Sequence, residues 1–231
     1  MEFLLDLFMA GLCASTALAA VWGWRAAKNR QVKQALRNAR GVHISEYPNG
    51  ARRRIVGELS LLDEALIAPL SGRRCAAYVV VVEHCHGDLR TVAYEMKCVS
   101  FVIRDLTGRA IVHPEHVRVA LTIRDHSTSS RSDNPTPGEE ALLRRLATEE
   151  LEELMNSELR FREGMLEPGA FVAVLGHGVV SLDEAVDRGN EHHGGYREPA
   201  GQTKVTISGS SRASVLISDD PSVLLDPHAA A

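Results

Sequence analysis

The stretch FVIRDLTGRAIV, from Phe101 to Val112, decides the fold class of this chain. Two short runs rich in β-branched residues flank the tetrapeptide Asp105-Leu106-Thr107-Gly108. An aspartate accepts hydrogen bonds from its own turn, and glycine adopts the positive φ that a tight reversal requires. The stretch therefore predicts a β-hairpin inside a β-rich domain.

More strands are predicted on both sides of this hairpin. The turn Tyr47-Pro48-Asn49-Gly50 precedes an alternating strand at Arg52–Leu59. The run Cys75–Glu83 is apolar on both faces, which is typical of a central strand. Further strands are predicted at Thr91–Cys98 and Val117–Ile123. Residues Phe161–Gly176 return to a β pattern, with a turn at Glu167-Pro168-Gly169 before Ala170–Leu175 and Gly176, and a last hairpin is predicted for Lys204–Ser208 and Ser214–Ser218 around Gly209-Ser210-Ser211. The polar residues between Ile123 and residue 135 are expected to form a mobile loop, as are residues 187–201.

One helix has a clear start signal and is predicted over residues 137–158. Thr136 is a capping residue, Pro137 suits the first helical position, and Glu139 completes a capping box. An apolar stripe runs along the helix, and most of its acids lie on the other side. We interpret Glu149, Glu150, Glu152 and Glu153 as a solvated face, in preference to a metal or partner site.

The composition limits the classes of protein to which the chain belongs. Its 231 residues suffice for one domain of roughly 150 to 180 residues with an anchor and connectors. A net charge of -4 and an aromatic content of 5% argue against nucleic-acid binding. The four cysteines, Cys13, Cys75, Cys85 and Cys98, contain no C-x-x-C pair and are predicted to be reduced thiols of a cytosolic domain.

An apolar segment from Phe3 to Trp24 predicts a transmembrane helix. Its 22 residues are interrupted only by Asp6 and would cross a hydrocarbon layer of about 30 Å. A cleavable signal peptide, with Ala17-Leu18-Ala19 as the cleavage site, is the alternative. We favour the anchor because the basic residues follow the apolar run. The positive-inside rule then places the N-terminus outside and the C-terminal domain in the cytoplasm.

A basic helix is predicted directly after the anchor, over residues 26–39. Val32, Ala35, Leu36 and Ala39 recur at helical spacing, and Gly41 is a plausible stop. The basic residues of this region allow two compatible interpretations: contact with anionic lipid head groups, or a topology signal on a solvated spacer. They are Arg25, Lys28, Arg30, Lys33, Arg37 and Arg40.

Four segments, taken in order, carry a resemblance to a known domain. They are residues 53–58 (RRIVGE), 68–78 (APLSGRRCAAY), 101–108 (FVIRDLTG) with Ile111-Val112, and 160–169 (RFREGMLEPG) leading to Val174-Leu175-Gly176. Together they resemble the GIDE domain, also called BAM for beside-a-membrane. This domain occurs in the membrane-anchored mitochondrial ubiquitin ligase activator family and in many bacterial proteins. The resemblance covers about residues 50–218 and implies a membrane location.

The resemblance also implies an alternative function as an E3 ubiquitin-ligase-type transferase or its accessory. Family members with that activity carry a second transmembrane helix and a C-terminal RING finger that binds two zinc ions. Here only thirteen residues follow Ser218, and the four pairs of zinc ligands of a RING are not found. We therefore expect a binding module and keep the ligase as the alternative.

No catalytic, cofactor or metal site is predicted, although several residues were weighed. His84-Cys85-His86 with Cys98, His113 and His116 lacks metal-site spacing. His192-His193 lies in a predicted loop, and Gly209-Ser210-Ser211 lacks the second glycine of a nucleophile elbow. Arg104 and Asp105 are expected to pair with each other and solvent instead of binding a ligand. Cys75 follows Arg73-Arg74 and has either a depressed thiol pKa or, as we prefer, an inert packing role.

These inferences combine into one expected architecture. The fold class is mainly β with α (α+β), an OB-like partly open barrel or β-sandwich with one packed amphipathic helix, preceded by an N-terminal transmembrane helix. The boundaries are 1–24 for the transmembrane helix, 25–49 for the basic juxtamembrane helix and linker, 50–218 for the GIDE/BAM-like β-rich domain, and 219–231 for a disordered tail. The expected function is non-enzymatic binding of a protein or lipid-derived partner beside the bilayer, with no nucleic acid.

Overall fold

The computed structural model describes residues 27–62, 64–85, 90–129, 135–146, 157–182 and 203–225. Within them the chain is mainly β with few helices. The helices are α1 (residues 27–38), α2 (Pro137–Leu146) and α3 (Pro221–Leu224), with a 3-10 turn at Ile44–Glu46. The strands are β1 Arg52–Leu61, β2 Leu66–Ile67, β3 Arg74–Cys75, β4 Ala77–His84, β5 Arg90–Cys98, β6 Phe101–Arg104, β7 Arg109–Val112, β8 Val117–Val119, β9 Arg124–Ser129, β10 Leu159–Leu166, β11 Phe171–Leu182, β12 Thr203–Ser208 and β13 Val215–Ser218.

Five strands form a barrel-like sheet in the circular order β1-β6-β7-β12-β11. β1 pairs with β6 on one edge and with β11 on the other, which closes the ring. β7 pairs with β12 in parallel, and the other pairs are antiparallel. The predicted hairpin of β6 and β7 is confirmed, and it forms one wall of this barrel.

The turn of that hairpin is closed by Asp105 and not by a special glycine conformation. Asp105 Oδ1 accepts hydrogen bonds from the backbone N–H groups of Thr107 (2.7 Å) and Gly108 (2.9 Å). The glycines with positive φ in the described part of the chain are Gly50, Gly72 and Gly169, so the expectation for Gly108 is wrong. The Asp105 N–H also donates to the Gly108 carbonyl at 3.2 Å, so the aspartate side chain and the backbone close the turn together.

The last two strands do not form the predicted hairpin with each other. Both pair with the edge of β11 that faces away from β1: His177 faces Ser208 of β12, and Leu175 faces Leu216 of β13. The two strands therefore lie end to end, separated by an excursion over residues 209–214. A Cβ on Gly209 would lie 2.4 Å from the carbonyl oxygen of Glu115, so glycine permits the close approach that turns the chain aside.

A second, four-stranded sheet is inserted into the barrel in the order β5-β4-β10-β9. β4 is buried along almost its whole length and lies between two neighbours, as predicted for a central strand. The loop expected after Ile123 is wrong over Arg124–Ser129, because these residues form β9 and pair with β10. β9 has only one neighbour, so backbone pairing holds it and its polar side chains carry no apolar signal.

Helix α2 begins where the capping box predicts. The Thr136 N–H donates to Glu139 Oε2 (2.7 Å), and the Glu139 N–H donates to Thr136 Oγ1 (3.4 Å). Leu142 and Leu143 are buried against the inserted sheet. The predicted continuation to residue 158 falls largely on residues 147–156, which lie outside the described residues, as do the four acids Glu149, Glu150, Glu152 and Glu153.

The buried side chains form three clusters that correspond to three packing layers. The largest fills the barrel and its contact with the inserted sheet, and includes Ile55 and Phe101. The second lies between the inserted sheet and α2 and includes Phe161. The third lies on the outer face of the barrel and joins α1 and α3 to β11 and β13, through residues such as Leu36 and Leu175.

This third cluster changes two of the expected boundaries. The apolar stripe of α1 is buried on the barrel, with Leu36 at 0% exposure, so the helix is part of the domain and not a solvated spacer. The expected disordered tail is wrong for residues 219–225: Asp220 caps α3, and Val223 is buried in the same cluster. Short helices with few apolar residues become ordered when they share a buried surface.

The remaining expectations about the anchor fall on residues 1–26, including the predicted span Phe3–Trp24, and these residues lie outside the described part of the chain. So do His86, His192-His193 and residues 226–231. None of the described helices is long and apolar enough to cross a bilayer.

Candidate interaction cleft

A cleft of about 280 Å³ lies where the inserted sheet meets the barrel. One wall comes from the turn before β3, and a second comes from β10 and the turn that follows it. The third wall comes from the start of β9 and from the residue after β13. Its polar and charged lining residues are Ser71, Arg73, Thr122, Arg124, Asp125, His126, Glu163, Glu167 and Asp219.

Glu163 holds the first wall in place. Its side chain is buried, and its two carboxylate oxygens accept the backbone N–H groups of Leu70 (2.9 Å) and Ser71 (3.1 Å). The same turn is closed by the Gly72 N–H, which donates to the Ala68 carbonyl at 2.9 Å, with Gly72 at a φ of +69°. The sequence segments 68–78 and 160–169 are therefore in direct contact through Glu163.

Two further interactions fix the rim of the cleft. Arg73 Nη1 lies 3.1 Å from Glu167 Oε1. Asp219 Oδ1 accepts the backbone N–H of Thr122 at 2.7 Å. These contacts tie the inserted sheet and the end of the barrel to the same cavity, so its shape depends on both units.

The side chains that β9 contributes differ in how they are partnered. Asp125 binds Arg160, and its Oδ1 lies 3.1 Å from Arg162 Nε. The hydrogen bond from Arg160 lowers the pKa of the Asp125 carboxyl, which therefore stays ionised. Arg124 and His126 are exposed and make no ion pair with the described residues. These two side chains are the ones available to a ligand.

Cys75, beside this cleft, is an inert packing residue. Burial raises the pKa of its thiol to about 11, with the negative charges of Glu163 and Glu167 acting in the same direction. Burial likewise raises the pKa of Cys98 to about 12. The depressed pKa considered for Cys75 is therefore wrong, because the two adjacent carboxylates outweigh Arg73-Arg74.

The other candidate residues are placed apart or given structural partners. His84 is the last residue of β4, and Cys85 follows it with its N–H donating to the Glu158 carbonyl (2.9 Å). His113 Nδ1 contacts Ser100 Oγ (3.1 Å), and the Ala213 N–H donates to Ser210 Oγ within the same turn. Across the described residues no group of three His, Cys, Asp or Glu side chains has the geometry to hold a metal ion.

Asp105 was expected to pair with Arg104, and this is wrong. Besides closing its turn, Asp105 Oδ2 accepts the Ile44 N–H at 2.8 Å and holds the 3-10 turn on the hairpin. Sequence reasoning also missed Glu163. The available signal was an acidic residue within the apolar strand β10, which indicates a buried carboxylate with dedicated donors.

The arrangement suits polar recognition better than nucleophilic chemistry. Ser71 Oγ contacts Met165 Sδ (3.7 Å), and the nearest thiol is buried with a raised pKa. Charged groups of both signs line the cleft, so it offers a partner hydrogen bonds and ion pairs in preference to apolar contacts. Comparison of the chain with protein-family models, curated proteins and solved structures finds no match.

Proposed function

We propose that this chain is a single-pass, membrane-anchored interaction module of the GIDE/BAM type. Its domain faces the cytoplasm and binds a protein or lipid-derived partner beside the bilayer without catalysing a reaction. The observation that carries the proposal is the burial of Val32 and Leu36 of α1 on the barrel. From residue 27 onward, α1 therefore moves with the domain as part of the same fold.

The topology of the barrel supports a similarity between this domain and OB-folds. The five strands close through a β1–β11 pair, and β7 meets β12 in parallel. OB-folds are small Greek-key barrels of five strands that bind their ligands on one face and its adjoining loops. Because one fold serves many functions, the proposal depends on the cleft and on the anchor as well as on this likeness.

The position of the cleft supports recognition close to the membrane. Lys33 of α1 forms an ion pair with Asp220, and the adjacent Asp219 lines the cleft. From Lys33 to residue 27 the helix rises by about 9 Å. The cleft therefore lies near the end of α1 that leads toward the predicted anchor.

Extraction and protease accessibility test the anchor. We expect the full-length chain to stay in the membrane pellet at alkaline pH, where peripheral proteins dissociate. In sealed, inside-out vesicles, protease should digest the domain from outside. Release of the intact chain into the supernatant would contradict the anchor, and protection of the domain would contradict its orientation.

Proximity labelling with a matched pair of variants tests the cleft. The full-length chain, fused to a biotin ligase, would be compared with Arg124→Glu in the cleft and Arg90→Glu on β5; both arginines are exposed. We expect Arg124→Glu to remove neighbours that Arg90→Glu retains. Identical labelling by all three chains would contradict the assignment of the cleft.

A ubiquitination assay tests the non-enzymatic role. Ubiquitin chains formed by the purified protein with activating and conjugating enzymes would contradict that role.

A further inference from the structure

An arginine-rich surface, formed by Arg37, Arg40, Arg52, Arg118 and Arg212, surrounds the C-terminal half of α1. The Arg54 N–H donates to the carbonyl of Arg40, and Arg52 Nη2 donates to the carbonyl of Ser214 at 3.1 Å, beside Arg212. Arg118 lies opposite Leu216, which packs in the cluster beneath α1. Arginines from four separate segments thus lie around one helix.

The arginine-rich surface lacks the acidic partners that several basic residues have elsewhere in the fold. Arg73 on the turn before β3, and Arg144, Arg145, Arg160 and Arg162 on α2 and the inserted sheet, form ion pairs. None of the five members of the arginine-rich surface forms one with a described residue, and only Arg52 is half-buried. Glu115, on the turn before β8, is the acid nearest to Arg118 in sequence. The surface is therefore strongly positive although the whole chain has a net charge of -4.

The packing of α1 determines how this surface can contact a partner. The apolar stripe of the helix is buried on the barrel, so it cannot insert into lipid or into an apolar groove. No acidic residue occurs from Arg25 to His43. The outward face of α1 therefore presents positively charged and uncharged polar side chains without any acid, which suits an anionic partner surface.

We propose that the arginine-rich surface docks on anionic lipid head groups, with α1 held between the barrel and the bilayer. This inference rests on the membrane anchor of the proposed function. From residue 27 to Arg37 the helix rises by about 15 Å, and electrostatic attraction decays within about 8 Å at physiological salt. The arginines therefore reach the lipid only when α1 lies along the membrane plane. That orientation also brings Arg118 and Arg212 of the barrel to the head groups.

Arginine footprinting of the full-length chain in nanodiscs tests this inference. Phenylglyoxal modification would be quantified by mass spectrometry in discs of phosphatidylcholine alone and in discs with 30% phosphatidylserine. We expect modification of Arg37, Arg40, Arg118 and Arg212 to fall at least threefold in the anionic discs and to recover in high salt. Arg74 and Arg90, which are exposed on the inserted part of the fold, should react equally in both discs.

Each other outcome would overturn the inference. Equal modification in the two discs, or equal loss at Arg74 and Arg90, would show that anionic lipid does not cover this surface. Protection that appears only when an acidic polypeptide or a nucleic acid is added would assign it to a different partner. If the chain does not incorporate into discs at all, the membrane anchor is contradicted. This result differs from equal arginine modification in incorporated chains, which would contradict lipid binding by the arginine-rich surface alone.

Discussion

At the scale of single residues, the buried Arg54 links both peripheral helices to the barrel. Its guanidinium donates to the carbonyls of Leu36 at the end of α1 (3.3 Å), and of Val223 (3.3 Å) and Leu225 (3.4 Å) at the end of α3. The last carbonyls of a helix lack intrahelical donors and carry the negative end of the helix dipole. Arg54 on β1 therefore supplies hydrogen-bond donors to carbonyl groups at the ends of two helices.

Arg54→Leu should lower the free energy of unfolding by about 2 kcal/mol, because hydrogen bonds from a charged donor are lost and the carbonyls stay buried. Urea unfolding of the purified chain in detergent, followed by circular dichroism, measures this change. The matched control is Arg53→Leu, since the Arg53 guanidinium donates to the carbonyl of the adjacent Arg52 and to neither helix end. A loss for Arg54→Leu no larger than that of the control would contradict this role.

Asp220 provides a pH-dependent contact at the same interface. The hydrogen bond from Lys33, with those from Ser222, lowers the pKa of its carboxyl to about 2. A carboxyl with a depressed pKa stabilises the fold fully above its unfolded pKa of about 3.9, and this contribution is lost as the pH falls toward 2. Asp220→Asn should therefore be less stable than the parent at pH 7.

The difference between Asp220→Asn and the parent should shrink between pH 4 and pH 2, because the parent becomes protonated there. Unfolding curves of both chains at pH 7, 4 and 2 measure it. Asp219→Asn serves as the neighbouring control because its carboxylate accepts a backbone N–H and forms no ion pair. A difference that is constant across this range would contradict the ion pair with Lys33.

At the scale of elements, the start of α2 holds the edge strand β9 as well as its own first turn. Glu139 Oε2 accepts the Thr136 N–H, and Glu139 Oε1 accepts the hydroxyl of Ser127 on β9. The side chain is buried, so either oxygen would be costly to leave without a donor. The capping box is thus also a contact between two elements.

Glu139→Ala should destabilise the protein by about 2 kcal/mol, against about 1 kcal/mol for Thr136→Ala, which removes only one cap acceptor. Hydrogen exchange of β9 amides distinguishes the two, because only Glu139→Ala releases Ser127. Glu140→Ala, which loses a surface pair with Arg144, is the control and should change the unfolding free energy by less than about 0.5 kcal/mol. Equal hydrogen-exchange rates of the β9 amides in all three variants would contradict the role of Glu139 in holding β9.

Elements with local signals were predictable from the sequence, whereas those held by distant partners were not. The hairpin around Asp105, the central strand β4 and the capping box at Thr136 each depend on residues within a few positions of one another. The end-to-end arrangement of β12 and β13 depends on pairing with β11, and β9 depends on β10. The cleft was missed for the same reason, because Glu163 meets its donors 92 and 93 residues away.

At the scale of the whole molecule, the barrel, the inserted sheet and α1 form a continuous body. β4 contributes Val79 and Val81 to the barrel cluster, and Val80 and Val82 to the cluster under α2. The outer cluster then joins the barrel to α1. Motion of α1 is therefore transmitted to the cleft through packed side chains, among which Leu36 is fully buried.

Leu36→Ala should separate α1 from the barrel at a cost of about 3 kcal/mol, because a fully buried leucine is replaced by a cavity or by local detachment. Limited proteolysis of the chain in nanodiscs, combined with urea unfolding, measures both effects. Cleavage between α1 and β1 should become faster than in the parent. Gln34→Ala, on the exposed side of α1, should leave the rate unchanged. If Leu36→Ala resists protease as well as the parent does, α1 stays on the barrel without this side chain, and Leu36 does not carry the link between them.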